Sequence, residues 1–447
     1  MTDETALRDE ATELLQRLVV CDTSNPPGRE AIAAAVVEDV ASAAGLECER
    51  VAKDPERPNL IVRLAGRGEG PSLAFLGHLD VVPARSQDWS VEPFAGIERD
   101  AAIWGRGAID MKCQVAATAV ALASLAREGF RPAGDLLLVL LADEEVGDAE
   151  VGAPFLVEAR PDLCPDFVVG EGSGERIETP AGPIYLLDHG EKATCTVTLT
   201  VSGETGDASL PDGGENAVLE AARLLERLRR YRSPVRVVPE VEPLLDAVAG
   251  SEGAIEDRVA RTREASPALD HILGALVGTV LHPTVVEATG PKNVVPPEVT
   301  VTMQCILLPE TTEHDLEAEL RRALGPGRYE LELTEPQGGS VSPAESPLRD
   351  AIERFLAEHD PDARLVPTLG YGFSDCDTFR RTYGSVACGF IPFRHADPLD
   401  NLLQKHSADE RVLVDDLLFQ VLAARHVARE IGSLVSGPRP SRSSATL

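Results

Sequence analysis

Residues 136–147 read LLLVLLADEEVG, seven apolar residues without a break and then an acidic turn. An apolar run this short and continuous suits a strand buried on both faces, as in parallel sheets packed between helices. The surrounding sequence repeats the theme. Apolar runs at 59–64, 72–76 and 167–169 predict further strands, and residues 114–127 predict a helix. Strands that alternate with helical stretches indicate an α/β fold, a mostly parallel twisted sheet flanked by helices.

The pattern changes near His189. Over 193–201, Thr194, Thr196, Thr198 and Thr200 alternate with Cys195, Val197, Leu199 and Val201, which predicts a strand with one buried face. A helix is expected at 216–230, then a strand at 299–307, a helix at 313–324 and a strand at 329–333. Two such units predict a small α+β layer of ferredoxin-like type, inserted over 190–336. A helix at 348–359 and a strand at 385–390 resume the first pattern. The expected organisation is a larger domain of 1–189 and 337–436, the insertion between them, and a disordered tail at 437–447.

Composition narrows the function. With 42 Lys+Arg against 74 Asp+Glu the formal charge is −32, so nucleic acid and anionic membrane surfaces are not expected as partners. Residues 1–20 read as an amphipathic helix and not as a secretory signal, and the longest apolar run, 136–142, is too short to span a bilayer. The expectation is a soluble, cytoplasmic protein. Eight cysteines at irregular spacing, with no CxxC pair, suggest neither a disulfide framework nor a thiolate zinc site.

Polar chemistry gathers where strands end, the place at which doubly wound sheets bind ligands. GHLDVVP (77–83) puts His78 and Asp80 after one strand, and LLADEEVG puts Glu144 and Glu145 after another. GEGSG (170–174) does the same for Glu171. GRGAIDMK (105–112) sets Asp110 in a glycine-rich turn before a helix, and QKHSADERV (404–412) offers His406. Singly, each of these suits a satisfied polar residue or a helix-terminal charge. Together they form an imidazole and carboxylate set suited to a pair of divalent ions. Adjacent Glu144 and Glu145 suit a division of labour, one on the metal and one free to take a proton. Asp80 can orient the His78 ring.

These five segments resemble the metal-site motifs of the dinuclear-zinc metallopeptidases that include aminoacylase, glutamate carboxypeptidase, succinyl-diaminopimelate desuccinylase and the carboxypeptidase-S-like dipeptidases. VGTVLHPTV (277–285), GPKNVVPPEV (290–299) and GFSDCDTF (372–379) are similar to further landmarks, so the likeness runs over almost the whole chain. The resemblance implies two divalent ions, zinc foremost and cobalt or manganese as alternatives. Asp110 bridges them, His78 and Glu171 bind one, and Glu145 and His406 bind the other. It further implies Glu144 as general acid/base acting with a bridging hydroxide, Asp80 as the catalytic-site residue that partners His78, and Asn293 as a substrate contact. The insertion becomes a lid that mediates a homodimer.

Two departures stand out. VSGETGDASLPDGGENAV (201–218) has Asp207 where the family usually has a histidine that donates to the scissile carbonyl, and VTVTMQCILLPETT (299–312) has Gln304 and Ile306 where an Asp-x-Arg pair is usual. Ile306 cannot hold a substrate carboxylate. His282 or His395 is a candidate replacement for the missing histidine, and Arg394 for an anion contact. The expected function is a zinc-dependent hydrolase of a small amide or peptide, with Asp207 favouring an amine-bearing substrate. The alternative is a diverged member that binds metal but runs a non-hydrolytic reaction or only binds a ligand.

Overall fold

The computed structural model describes residues 3–147, 151–210 and 215–435; the tail expected at 437–447 lies outside them. Leu136–Leu141 is a strand with every residue buried. Its side chains alternate between two layers: Leu136, Leu138 and Leu140 join one core, and Leu137, Val139 and Leu141 another. That two-sided burial is why the run is continuously apolar. The first core lies under helices Glu4–Val20, Lys112–Arg127, Pro347–His359 and Val414–Gly432, and the second under Ala153–Ala159 and Cys376–Tyr383.

The large sheet has nine strands among the described residues. Eight run in order Glu47–Val51, Asn59–Leu64, Leu136–Leu141, Leu73–His78, Phe167–Gly170, Val386–Gly389, Ile184–Gly190 and Arg364–Leu369, and the ninth, Arg176–Ile177, pairs with Ile184–Gly190 off this path. The middle is parallel, since Leu73–His78 pairs in parallel with both Leu136–Leu141 and Phe167–Gly170, and Val386–Gly389 continues it. The Glu47–Val51 edge is antiparallel. Ile184–Gly190 returns antiparallel to Val386–Gly389 and pairs in parallel with Arg364–Leu369, two strands the sequence pattern left unmarked.

The second sheet is antiparallel, ordered Val280–Glu287, Glu298–Leu307, Ala193–Ser202 and Tyr329–Leu333. Helices Ala217–Arg230 and Glu313–Leu324 share a core with it, giving the ferredoxin-like order strand–helix–strand–strand–helix–strand. Cys195, Val197, Leu199 and Val201 enter that core, and the four alternating threonines are half-buried. Asn216 caps its helix by accepting from the Val218 and Leu219 amides. Between these elements the chain adds helices Glu242–Ala249, Ile255–Ala265 and Pro267–Leu276. Leu244, Leu245, Leu269 and Leu273 pack with Ile184, Leu186, Val366 and Leu369 of the large sheet. Among the described residues no helix is long and apolar enough to cross a membrane, and no disulfide joins the cysteines.

Candidate metal centre

Three adjacent parallel strands carry the site. His78 closes Leu73–His78, and its neighbours on either side deliver Glu144 with Glu145 and Glu171 just past their own last residues. Asp110 arrives differently, on the turn before helix Lys112–Arg127. Buried Glu410 fixes that turn: Oε1 accepts from the Ile109 and Asp110 amides at 2.6 and 3.0 Å, and Oε2 accepts from the Gly107 amide at 2.9 Å and Arg106 Nη1 at 2.7 Å. Gly107 has φ +85°, and a Cβ there would stand 2.8 Å from Val81 Cγ1, so only glycine fits. The segment that supplies His406 thus also pins Asp110.

The five expected ligands meet in two groups that share Asp110. His78 Nε2 lies 3.0 Å from Asp110 Oδ1 and 3.9 Å from Glu171 Oε2. His406 Nε2 lies 3.2 Å from Asp110 Oδ2 and 3.1 Å from Glu145 Oε2. Within each group of three, one ligand atom per residue falls within 4.8 Å of the others. His78 Nδ1 is 2.9 Å from the Asp80 backbone carbonyl and 3.5 Å from its carboxylate, which leaves Nε2 for the centre of the cluster. The Asp80 carboxylate has further work: it accepts from the Glu144 and Glu145 amides at 3.2 and 3.1 Å and from Asn25 Nδ2 at 2.9 Å. Asn25 in turn donates to Asp143, which Arg57 also holds.

The electrostatics ask for a cation. Burial pushes the Glu144 carboxyl well above its usual range, with Glu171, Asp375 and Glu145 adding repulsion. Burial and Asp110 together push Glu171 to about 7. Hydrogen bonds to Asp110 and Glu145 raise His406 to about 10. Glu145 Oε1 is buried with no hydrogen-bond partner, a costly state for a carboxylate oxygen. Carboxylates and imidazoles with an orphaned oxygen, in two groups joined by one shared aspartate, fit a pair of divalent ions.

Asp207 and Asn293 come together elsewhere. Gly206–Asp207 pairs with Val294–Val295 on the insertion, where Asp207 is exposed and its Oδ1 accepts from the Ser209 amide and hydroxyl, both at 2.9 Å. The Asn293 carbonyl accepts from the Ala208 amide. Arg394 lies over the Phe419 ring at 5.7 Å, with Nε 3.8 Å from Asp360, and the Arg394 and His395 amides donate to Asp416. His282 is exposed on Val280–Glu287, and Ile306 sits opposite Val280 and Thr194 in the second sheet. None of these joins either ligand group. Two residues that sequence reading passed over do take part in the site: Glu410 through the turn, and Asp375, which lines a cavity of about 220 Å³ with His78, Glu144 and Glu171.

Known proteins share this chain's sequence pattern and fold. A model described as peptidase family M20/M25/M40 matches residues 74–430. The succinyl-diaminopimelate desuccinylase of Methylobacterium radiotolerans is 30% identical over 429 residues, covering 92% of this chain and 93% of its own. The Cereibacter sphaeroides desuccinylase is 33% identical over 221 residues, 48% of this chain; here the match spans about half of the relative's length, 55%. In structure, human carnosine dipeptidase 1 superposes with a TM-score of 0.71 at 16% identity, covering 96% of this chain and 98% of that one. A dipeptidase from Saccharomyces cerevisiae gives 0.72 at 15% identity, covering 96% and 97%. At such identities the likeness speaks for the fold.

Ligands must shed protons before a metal binds, so affinity should rise with pH. Glu171, raised to about 7, is mostly protonated at pH 6 and mostly ionised at pH 8. Zinc titration by calorimetry should show binding at least about tenfold tighter at pH 8 than at pH 6. Equal affinity at the two values would remove Glu171 from the ligand set.

Proposed function

The chain belongs to peptidase family M20/M25/M40, and from that premise we propose that it is a metal-dependent hydrolase of an amide or peptide bond in a small molecule. The observation that carries the reading is Glu144, a half-buried carboxylate beside the two ligand groups but outside both. Amide hydrolysis needs such a group, because water must lose a proton and the leaving amine must gain one. His78, Asp110 and Glu171 would hold one ion and Asp110, Glu145 and His406 the other. Zinc suits this donor set best, and cobalt or manganese would also fit it. Bound there, the ions supply Lewis-acid polarisation of the scissile carbonyl and acidify nearby water.

The rest falls to side chains. A Glu144 carboxylate oxygen takes the proton of the attacking water and then gives it to the amine nitrogen as the C–N bond breaks. A carboxylate at the ordinary value of about 4.3 holds a proton too weakly for both steps, and the upward shift at Glu144 corrects this. Asp80 keeps Glu144 and Glu145 on separate duties by holding both amides on one carboxylate.

Substrate preference and assembly belong to the same proposal. Asp207 on the insertion supports a substrate that bears an amine, and Ile306 removes one means of holding a carboxylate there. A homodimer through the insertion is supported by Val280–Glu287, which pairs on one side only and exposes Val285 and Val286 at 46% and 57%.

Glu144→Gln should bind metal as the wild type does and lower kcat by about 10²- to 10⁴-fold on whichever N-acyl amino acid or dipeptide the wild type cleaves; undiminished turnover contradicts the assignment. In sedimentation the wild type should give twice the chain mass of 47.7 kDa, and Val286→Glu should give the single mass. A wild-type value of one chain would refute the dimer.

A further inference from the structure

Next to the Glu144–Glu145 turn lies a second set of buried charges, the carboxylates of Glu30, Asp80 and Asp143 and the guanidinium of Arg57. None of them belongs to either ligand group. The Glu30 and Asp143 side chains have no exposed surface, and that of Arg57 is 12% exposed. Arg57 Nε and Nη2 donate to the two oxygens of Glu30 at 3.1 and 2.7 Å, and Nη2 also reaches Asp143 Oδ1 at 3.1 Å. The chain has made room for that guanidinium. Gly28 has φ +73°, and a Cβ there would stand 2.3 Å from Arg57 Nε.

These charges grip the turn just ahead of Glu144. Glu30 Oε1 accepts from the Asp143 amide at 3.2 Å, and Asp80 accepts from the next two amides, so three successive N–H groups end on two buried carboxylates. Asn25 ties the two halves together: its Nδ2 donates to Asp80 Oδ2 at 2.9 Å and to Asp143 Oδ1 at 2.6 Å. Asn25 is itself fixed beside the end of Leu73–His78. Its amide donates to the Val81 carbonyl at 2.9 Å, and the Thr23 hydroxyl donates to the Leu79 carbonyl at 2.6 Å. Asp143 needs such a hold, because its φ of +63° is a left-handed conformation that a residue with a side chain keeps where its surroundings impose it.

Resting on the amide-hydrolase reading, we infer that Arg57 and Asn25 are positioning residues for the proton shuttle. Through Glu30, Asp143 and Asp80 they set the direction in which Glu144 leaves the turn, and hence how it meets the attacking water. Glu145 has a further hold at its carboxylate, His406 Nε2 at 3.1 Å, whereas this network reaches Glu144 through the backbone. Loosening the network therefore falls on proton transfer and spares metal binding.

The test is a set of double-mutant cycles on the zinc-loaded full chain, reading kcat, KM and bound metal with a dipeptide or N-acyl amino acid that the wild type cleaves. Arg57→Met and Asn25→Ala should each lower kcat by roughly ten- to a hundredfold, the scale of a small misplacement of a reacting group. KM and metal content should stay at wild-type values, and Arg57→Lys, which keeps the charge, should recover part of the loss. Added to Glu144→Gln, either substitution should lower kcat by less than about twofold more, because the group it positions is already gone. A role confined to folding lowers the active fraction equally in both backgrounds, so a full repeat of the loss beside Glu144→Gln overturns the inference. If Arg57→Met does not fold, Asn25→Ala and Arg57→Lys carry the same cycle. In the metal-free protein, hydrogen exchange of the 143–145 amides, followed by mass spectrometry, should be faster in the variants than in the wild type; unchanged exchange also overturns it. Turnover of no amide by the wild type, or full turnover by Glu144→Gln, sinks the hydrolase reading and leaves no shuttle to position. Turnover that falls in Glu144→Gln and holds in the network variants sinks the positioning role alone.

Discussion

Asp110 stands within reach of both His78 and His406, and Glu144, Glu145, Glu171 and Asp375 crowd the same space. Two unit charges 4 Å apart repel by about 4 kcal/mol at an effective dielectric of 20, so a handful of carboxylates here is costly unless cations offset them. Protonated His78 and His406 can supply two positive charges. Two divalent ions supply four and let both imidazoles serve as neutral ligands. Against the three carboxylates of Asp110, Glu145 and Glu171 this leaves one positive charge, available to the negative charge that develops on a carbonyl oxygen. The surrounding fold holds acids together that would otherwise separate.

That holding is mostly backbone chemistry. Parallel pairing of Leu73–His78 with both neighbours sets His78, the Glu144–Glu145 turn and Glu171 in a row. Glu410 does for the Asp110 turn what Asp80 does for the Glu144–Glu145 turn: one carboxylate accepts two successive amides and so fixes where the next side chains point. The positions of the candidate ligands therefore depend on two further acids that stand outside both ligand groups.

Much of this was legible in the sequence because it follows from periodicity and position. The run 136–141 forms its strand as expected, and Lys112–Arg127, Glu313–Leu324 and Tyr329–Leu333 match their patterns closely. Four of the candidate ligands were recognisable because they end an apolar strand or sit in the turn just past one or in a glycine-rich turn, and His406 was added by the motif resemblance. What escaped was contact between distant segments. Ile184–Gly190 is wholly buried, but the sequence showed only a change of pattern near His189, so the strand was not marked. Glu410 lies in the same motif as His406, yet its task is set 300 residues away in sequence. Lys405, next to His406 in sequence and unremarked there, lines a cavity beside Glu171. Asp207 and Asn293 were drawn from resemblance, and in the single chain they neighbour one another on the insertion.

The sharing of Asp110 between two ligand groups is the most direct claim to test, by counting metal in wild type and Asp110→Asn after dialysis against limiting zinc. The account predicts two ions per chain in the wild type and a marked fall in both for the variant. A variant that keeps either ion at wild-type affinity would contradict the shared-carboxylate centre.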